Sequence, residues 1–210
     1  MAVISKLINI GYIITSFAIG IILFNLVTDI SKEEKKAHIS EITSQLINLV
    51  LFIWIAKIVL NLPVFLTDPL TILAYPSNSS AFYLGLGLTA VWFLFQSIRK
   101  EREILPIIES FIVIFVFSSF IYEFIQYVVY EHKYSFGYLL LLGILILIFY
   151  LVKVRSLFIL ILTIWSIGLI VLSIVQPYVT VFGYMMTPWF IALMFIAILL
   201  LFIYEKRRRL

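Results

Sequence analysis

Polar residues along this chain fall in short clusters, and between them run apolar stretches long enough to cross a bilayer. Seven such stretches stand out: Ile8–Val27, Thr43–Leu62, Ala81–Ser97, Pro106–Tyr127, Phe136–Val152, Leu157–Val175 and Tyr184–Tyr204. A hydrocarbon core of about 30 Å needs roughly 20 helical residues at about 1.5 Å each. The pattern therefore predicts seven transmembrane helices. The third and fifth are short and must stand nearly upright or thin the bilayer around them. All six prolines (Pro63, Pro69, Pro76, Pro106, Pro177 and Pro188) lie in connections or at span ends. Proline removes a helix hydrogen bond and clashes with the preceding turn, so these spans are expected to be continuous.

The connection "PVFLTDPLTILAYPSNSSA" is too apolar for a free loop. Thr67 or Asp68 can cap a short helix with Pro69 in its first turn. A short segment connecting the second and third helices, lying in the outer membrane interface or folded back against the bundle, is expected there. At the first polar cluster, Ser31 and Glu34 have capping-box spacing, which predicts a helix start. Gly85 and Gly87 are positions where helices can approach closely, although no span carries GxxxG.

Charge orients the set. Lys32, Lys35 and Lys36, Arg99, Lys100 and Arg102, Lys153 and Arg155, and the tail Lys206, Arg207, Arg208 and Arg209 all fall on one side, with Lys6 and Lys133 on the other. Twelve against two is a strong asymmetry, and basic loops stay in the cytoplasm. The N-terminus is expected outside and the C-terminus inside. The basic tail attracts anionic lipid at about 1 kcal/mol per positive residue, which accounts for the net charge of +4 without nucleic acid.

Composition agrees. The chain is 64% hydrophobic and 12% charged, against about a quarter charged for soluble domains. The reading is an all-α integral membrane protein, one helical domain over residues 1–210 with no separate soluble domain, multi-pass in the cell membrane and bacterial in character. The first apolar run is too long for a signal-peptide core and is read as a retained span. No cysteine is present, which removes thiolate nucleophiles, disulfides and cysteine-ligated metals. His38 and His132 fall on opposite sides, so no histidine metal or haem site is expected, and no cofactor.

Few residues carry candidate chemistry. Lys57 lies inside the second span and Glu123 inside the fourth, both toward the outer end. An intramembrane charge is costly unless paired or wetted, so the two are expected to form a pair, with snorkelling of Lys57 the alternative. Glu109 lies fourteen residues before Glu123, about 40° away around a helix, with Val113, Val116, Phe120 and Tyr127 along the same stripe. With Gln126 it marks a possible polar route, although Glu109 also suits a helix N-terminus. His132, Glu131 and Asp68 gather on the outer side and are the catalytic candidates if the protein is an enzyme, but no spaced motif binds them together.

Three functions follow. The first is a membrane-embedded accessory subunit that contacts another membrane protein and expects an apolar interior. The second is an outer-leaflet enzyme acting on lipid or a lipid-linked substrate. The third is a permease for protons or a small solute, which needs polar groups through a midplane where the sequence shows only Ser118 and Ser119.

Overall fold

The computed structural model describes residues 2–74, 78–101, 103–152 and 157–208. It is an α-helical protein in which, among the described residues, five helices are long and apolar enough to cross a membrane, together with shorter apolar ones. A helix satisfies its backbone hydrogen bonds internally, which is what chains this poor in polar residues require in lipid. The chain divides into two compact units, residues 32–107 and residues 1–31 with 108–210.

The smaller unit pairs α2 (Lys32–Leu60) with α5 (Ser79–Arg99). Helix α2 begins directly after Ser31, with Glu33 and Glu34 in its first turn where the helix dipole favours anions. It begins eleven residues before Thr43 and joins the first polar cluster and the second apolar stretch into a single helix. It ends at Asn61, because the ring of Pro63 would meet the carbonyl four residues back in a continued helix. The Asn61 amide donates to the Ile58 carbonyl at 3.1 Å, and its side-chain nitrogen takes over the Lys57 carbonyl at 2.8 Å. Two short helices follow, α3 (Leu62–Thr67) and α4 (Thr71–Ala74). They form the folded segment expected here, except that Pro69 lies in the turn before α4 rather than inside it.

Helix α5 starts on an Asn78 cap, whose Oδ1 accepts from the Ala81 amide at 2.9 Å. Helices α2 and α5 meet closely at Gly85, where a Cβ would lie 2.9 Å from the Ile53 amide nitrogen. A Cβ on Gly87 would meet nothing within 4 Å. Further along, Gln45 reaches Gln96 across the pair at 3.4 Å.

The larger unit holds α1 (Ala2–Val27), nearly all of α6 (Ile104–Tyr130), α7 (Ser135–Leu151), α8 (Leu157–Val175) and α9 (Pro188–Arg208). Helix α8 packs between α7 and α9. Gly20 of α1 lies against the Ser118 side chain and the Ile114 carbonyl of α6, too close for any larger residue.

The largest departure from the expected pattern lies between α8 and α9. The last span was expected from Tyr184, yet its helix begins at Pro188. Residues Thr180–Val181 (β1) and Tyr184–Met185 (β2) form an antiparallel hairpin, with Val181 opposite Tyr184. The β-branched run Val179–Val181 favours extended backbone. At the tip, Phe182 and Gly183 both have positive φ, +51° and +82°, as a two-residue hairpin turn with the twist of its strands requires. Positive φ is easy for glycine and strained for phenylalanine. The Phe182 ring is held by packing: it stacks on Phe17 of α1 at 5.0 Å and meets Tyr122 and Phe115 of α6 at 5.2 and 5.9 Å. Tyr122 and Phe115 lie 8 and 15 residues before the end of α6, roughly 12 and 22 Å along it. The hairpin tip therefore reaches close to the middle of a 40 Å helix, at roughly 1.5 Å per residue.

Candidate intramembrane polar site

Helix α6 carries Ser119, Glu123 and Gln126 at spacings of four and three, which places them on one face. All three are buried, and Glu123 is 1% exposed. Helix α7 supplies Ser135 and Tyr138, also three apart, and α8 supplies Trp165, all buried; Ser166, next in sequence to Trp165, is buried too. The Ser135 hydroxyl faces the Glu123 carboxyl, and the Tyr138 hydroxyl lies beside Ser119. The Trp165 indole N–H donates to the Tyr138 oxygen at 3.0 Å. Toward the Tyr130 end of α6, Gln126 donates to Asn9 of α1 at 3.4 Å and stands beside Tyr122.

Among the described residues of this unit, six polar side-chain atoms are buried with no partner in hydrogen-bonding geometry: Oε1 of Glu123, Oε1 of Gln176 and the hydroxyls of Ser16, Ser118, Ser119 and Ser166. Buried polar groups are normally paired, because an unmet donor or acceptor costs about 1–3 kcal/mol. Six in one unit are a cost that stability alone does not explain. From Gln126 back to Ser118 the polar stretch covers nine residues of α6, about 12 Å. Beyond it, Ile114, Val116 and Phe117 are buried and apolar. There α6, α7 and α8 enclose a crevice of about 10 Å³ lined by Val113, Phe117, Leu145 and Ile161, among others.

The other candidate residues are placed as follows. Lys57 is buried in the smaller unit, in the last turn of α2, where the helix dipole favours a cation. Its ammonium sits 5.0 Å from the centre of the Trp54 ring one turn back, a cation–π contact. Glu123 belongs to the larger unit. Glu109 is exposed, as is Tyr127, so the expected stripe of α6 is not uniformly buried at its ends. Asp68 is exposed and occupied locally: one carboxylate oxygen accepts from the Thr71 hydroxyl at 2.6 Å and the other from the Leu70 amide at 3.1 Å. The Thr71 hydroxyl above all holds its carboxyl below the ordinary aspartate value of 3.8.

Glu131 is exposed with φ +52° and turns the chain out of α6, while the His132 amide donates back to the Gln126 carbonyl at 3.3 Å. The tail residues Lys206, Arg207 and Arg208 continue α9, and Arg209 lies outside the described residues. Sequence reasoning found Glu123 and Gln126 but missed Tyr138, Trp165, Ser135, Ser16 and Ser166. The available signal was Ser119 one turn before Glu123. Tyrosine and tryptophan in membrane chains otherwise read as interfacial anchors. Compared with family models, with curated proteins and with solved structures, the chain gives no match.

Proposed function

We propose that this chain is a small seven-span protein of a bacterial cell membrane, N-terminus outside and C-terminus cytoplasmic, that works as a proton-coupled permease with Glu123 as its charge-carrying residue. The observation that carries the reading is the surroundings of Glu123: a buried carboxyl with one oxygen unpartnered, faced by the Ser135 hydroxyl of α7. Ionisable residues within membrane segments are expensive and mark ion and proton pathways by default. With the positive-inside orientation, the polar face of α6 opens toward the outer side. The apolar stretch before Ser118 closes the inner side, so passage requires a rearrangement and turnover is slow rather than channel-like.

Two other readings rank behind it. An accessory subunit acting through contacts with a partner membrane protein expects an apolar interior, which the polar set around Glu123 does not resemble. An outer-leaflet enzyme working on lipid would rely on His132, Glu131 and Asp68, of which Asp68 is engaged in its own turn and Glu131 turns the backbone.

The test is proton flux. The full chain is reconstituted into liposomes of neutral and anionic lipid carrying a pH-sensitive dye, and a pH gradient is imposed. Wild type is expected to dissipate the gradient faster than empty liposomes, and Glu123→Gln to lose at least nine-tenths of that excess. Equal rates for wild type and Glu123→Gln reject the reading. A stoichiometric partner protein in native mass spectrometry, without flux, moves the accessory subunit to first place.

A further inference from the structure

We infer that the β1–β2 hairpin walls a water-filled vestibule, open on the outer face, that runs between α1 and α6 down to the ring of Phe182 near the middle of the membrane. The inference deepens the permease reading: it rests on that reading's orientation and names the route by which a solute from outside reaches the level of the buried carboxyl.

The argument begins with what lipid cannot do. Backbone N–H and C=O groups find no partner in hydrocarbon, so irregular backbone survives at membrane depth only inside protein or beside water. A helix satisfies itself. A two-stranded ribbon does not, because each strand pairs along one edge and leaves the other bare. Among the described residues the sheet consists of β1 and β2 alone. Its tip lies level with Tyr122, which the Phe182 ring meets roughly 12 Å below the end of α6. Yet Gly183 at the tip and Met185 beyond it are exposed. The bare backbone rules out lipid and the exposure rules out a protein cover, which leaves water.

The ribbon has the two faces of a half-solvated sheet. Inward it presents Val181 opposite Tyr184, and Val179 next to Met186, whose amide donates to the Val179 carbonyl at 2.8 Å. Val179, Val181 and Met186 are buried. Outward it presents Thr180 opposite Met185, the first half-buried and the second exposed.

The helices meet this ribbon with a polar track. Asn9 of α1 is exposed and accepts from the Gln126 side chain of α6 at 3.4 Å. One turn further in, Gln126 stands beside Tyr122, as does Tyr184 of the hairpin. A Cβ on Gly183 would lie 3.3 Å from the Tyr122 hydroxyl, so the track of two amides and a phenol ends at the hairpin tip. Beyond it the surroundings turn apolar: Phe17 and Phe115 close on Phe182, and Ile114, Val116 and Phe117 are buried. The Phe182 ring is the floor of the vestibule.

Thiol reactivity tests this in a chain without cysteine. Gly183→Cys at the tip and Met185→Cys on the outward face are made in the full-length protein in intact cells. The reference is Ile144→Cys, an exposed position of α7 roughly 14 Å along that helix from Ser135. A methanethiosulfonate carrying a quaternary ammonium is added outside. It attacks thiolate, and a thiol facing hydrocarbon stays protonated and out of its reach. Both hairpin thiols are expected to react within about tenfold of Lys133→Cys in the outer loop, and Ile144→Cys about a hundredfold more slowly.

Hairpin thiols as slow as Ile144→Cys overturn the inference, because lipid or protein then covers the ribbon. So does a slow Gly183→Cys beside a fast Met185→Cys, which stops the water above Phe182. Labelling that needs permeabilised cells, or that only neutral N-ethylmaleimide achieves, overturns it as well. Gly183 has φ +82°, so its variant is strained. If circular dichroism of the purified variant shows lost structure, Met185→Cys, on strand backbone, decides. The two readings fail separately. Fast hairpin labelling without liposome flux sinks the permease and leaves the vestibule; flux that needs Glu123, with protected hairpin thiols, does the reverse.

Discussion

At the scale of single residues, the polar side chains of this chain divide by whether their partners are local. Asp68 has its own: the Thr71 hydroxyl and the Leu70 amide take up its carboxylate and hold its proton affinity below the ordinary range. A depressed carboxyl stabilises the fold fully above 3.8, and that contribution is lost as pH falls through the lower folded value. Acidification below the ordinary aspartate range is therefore expected to loosen the turn into α4. Hydrogen exchange at the Leu70 and Thr71 amides reads this as faster exchange, relative to neighbouring amides, in acid, and Asp68→Asn removes the pH dependence. Glu123 has no such local partner on its Oε1, which is why it and not Asp68 carries a functional reading. The sequence exposed both as charges among apolar residues. It could not separate them, because the distinction lies in Thr71 at three residues' distance for one and in Ser135 of another helix for the other.

At the scale of elements, the contact of α2 with α5 rests on a missing side chain. A methyl group on Gly85 would meet the Ile53 backbone, which cannot rotate away as a side chain can. Gly85→Ala is expected to destabilise the chain by about 1–3 kcal/mol, as overpacking does. Gly87→Ala meets open space and is expected to be neutral or to stabilise by up to about 1 kcal/mol, since alanine favours a helix over glycine. Thermal unfolding of the two variants in the same detergent checks the contrast, and equal melting temperatures would show that the helices do not meet there. Both glycines were legible as close-approach candidates, but only the partner's position tells them apart. Helix existence was legible because apolar length is dictated by the bilayer. The start of α2 was legible too, in the capping-box spacing of Ser31 and Glu34, but its unbroken run into the second span was not, because "SKEEKKAHISE" is polar and yet helix-favouring. The hairpin was hidden for a different reason: two-residue strands leave no period to detect, and the apolar Val181 and Phe182 read as loop beside an apparent span.

At the scale of the whole molecule, the absence of cysteine from the sequence makes topology unusually easy to test, since any introduced thiol reports alone. Lys133→Cys is expected to react with a membrane-impermeant maleimide on intact cells, and Lys36→Cys only after permeabilisation. The reverse pattern would invert the orientation and place the opening of the Glu123 face on the cytoplasmic side. A membrane chain is made from its N-terminus onward, and the hairpin gives that order a consequence. The niche around Phe182 is walled by Phe17 from the first helix and by Phe115 and Tyr122 from the sixth, but what fills it comes from a connection synthesised after both. The aromatic walls of that niche thus stay uncovered in the growing chain until the hairpin is seated. A ribosome that stops short of Phe182 leaves in the membrane an aromatic niche without its plug, which marks the unfinished chain chemically as unlike the finished one.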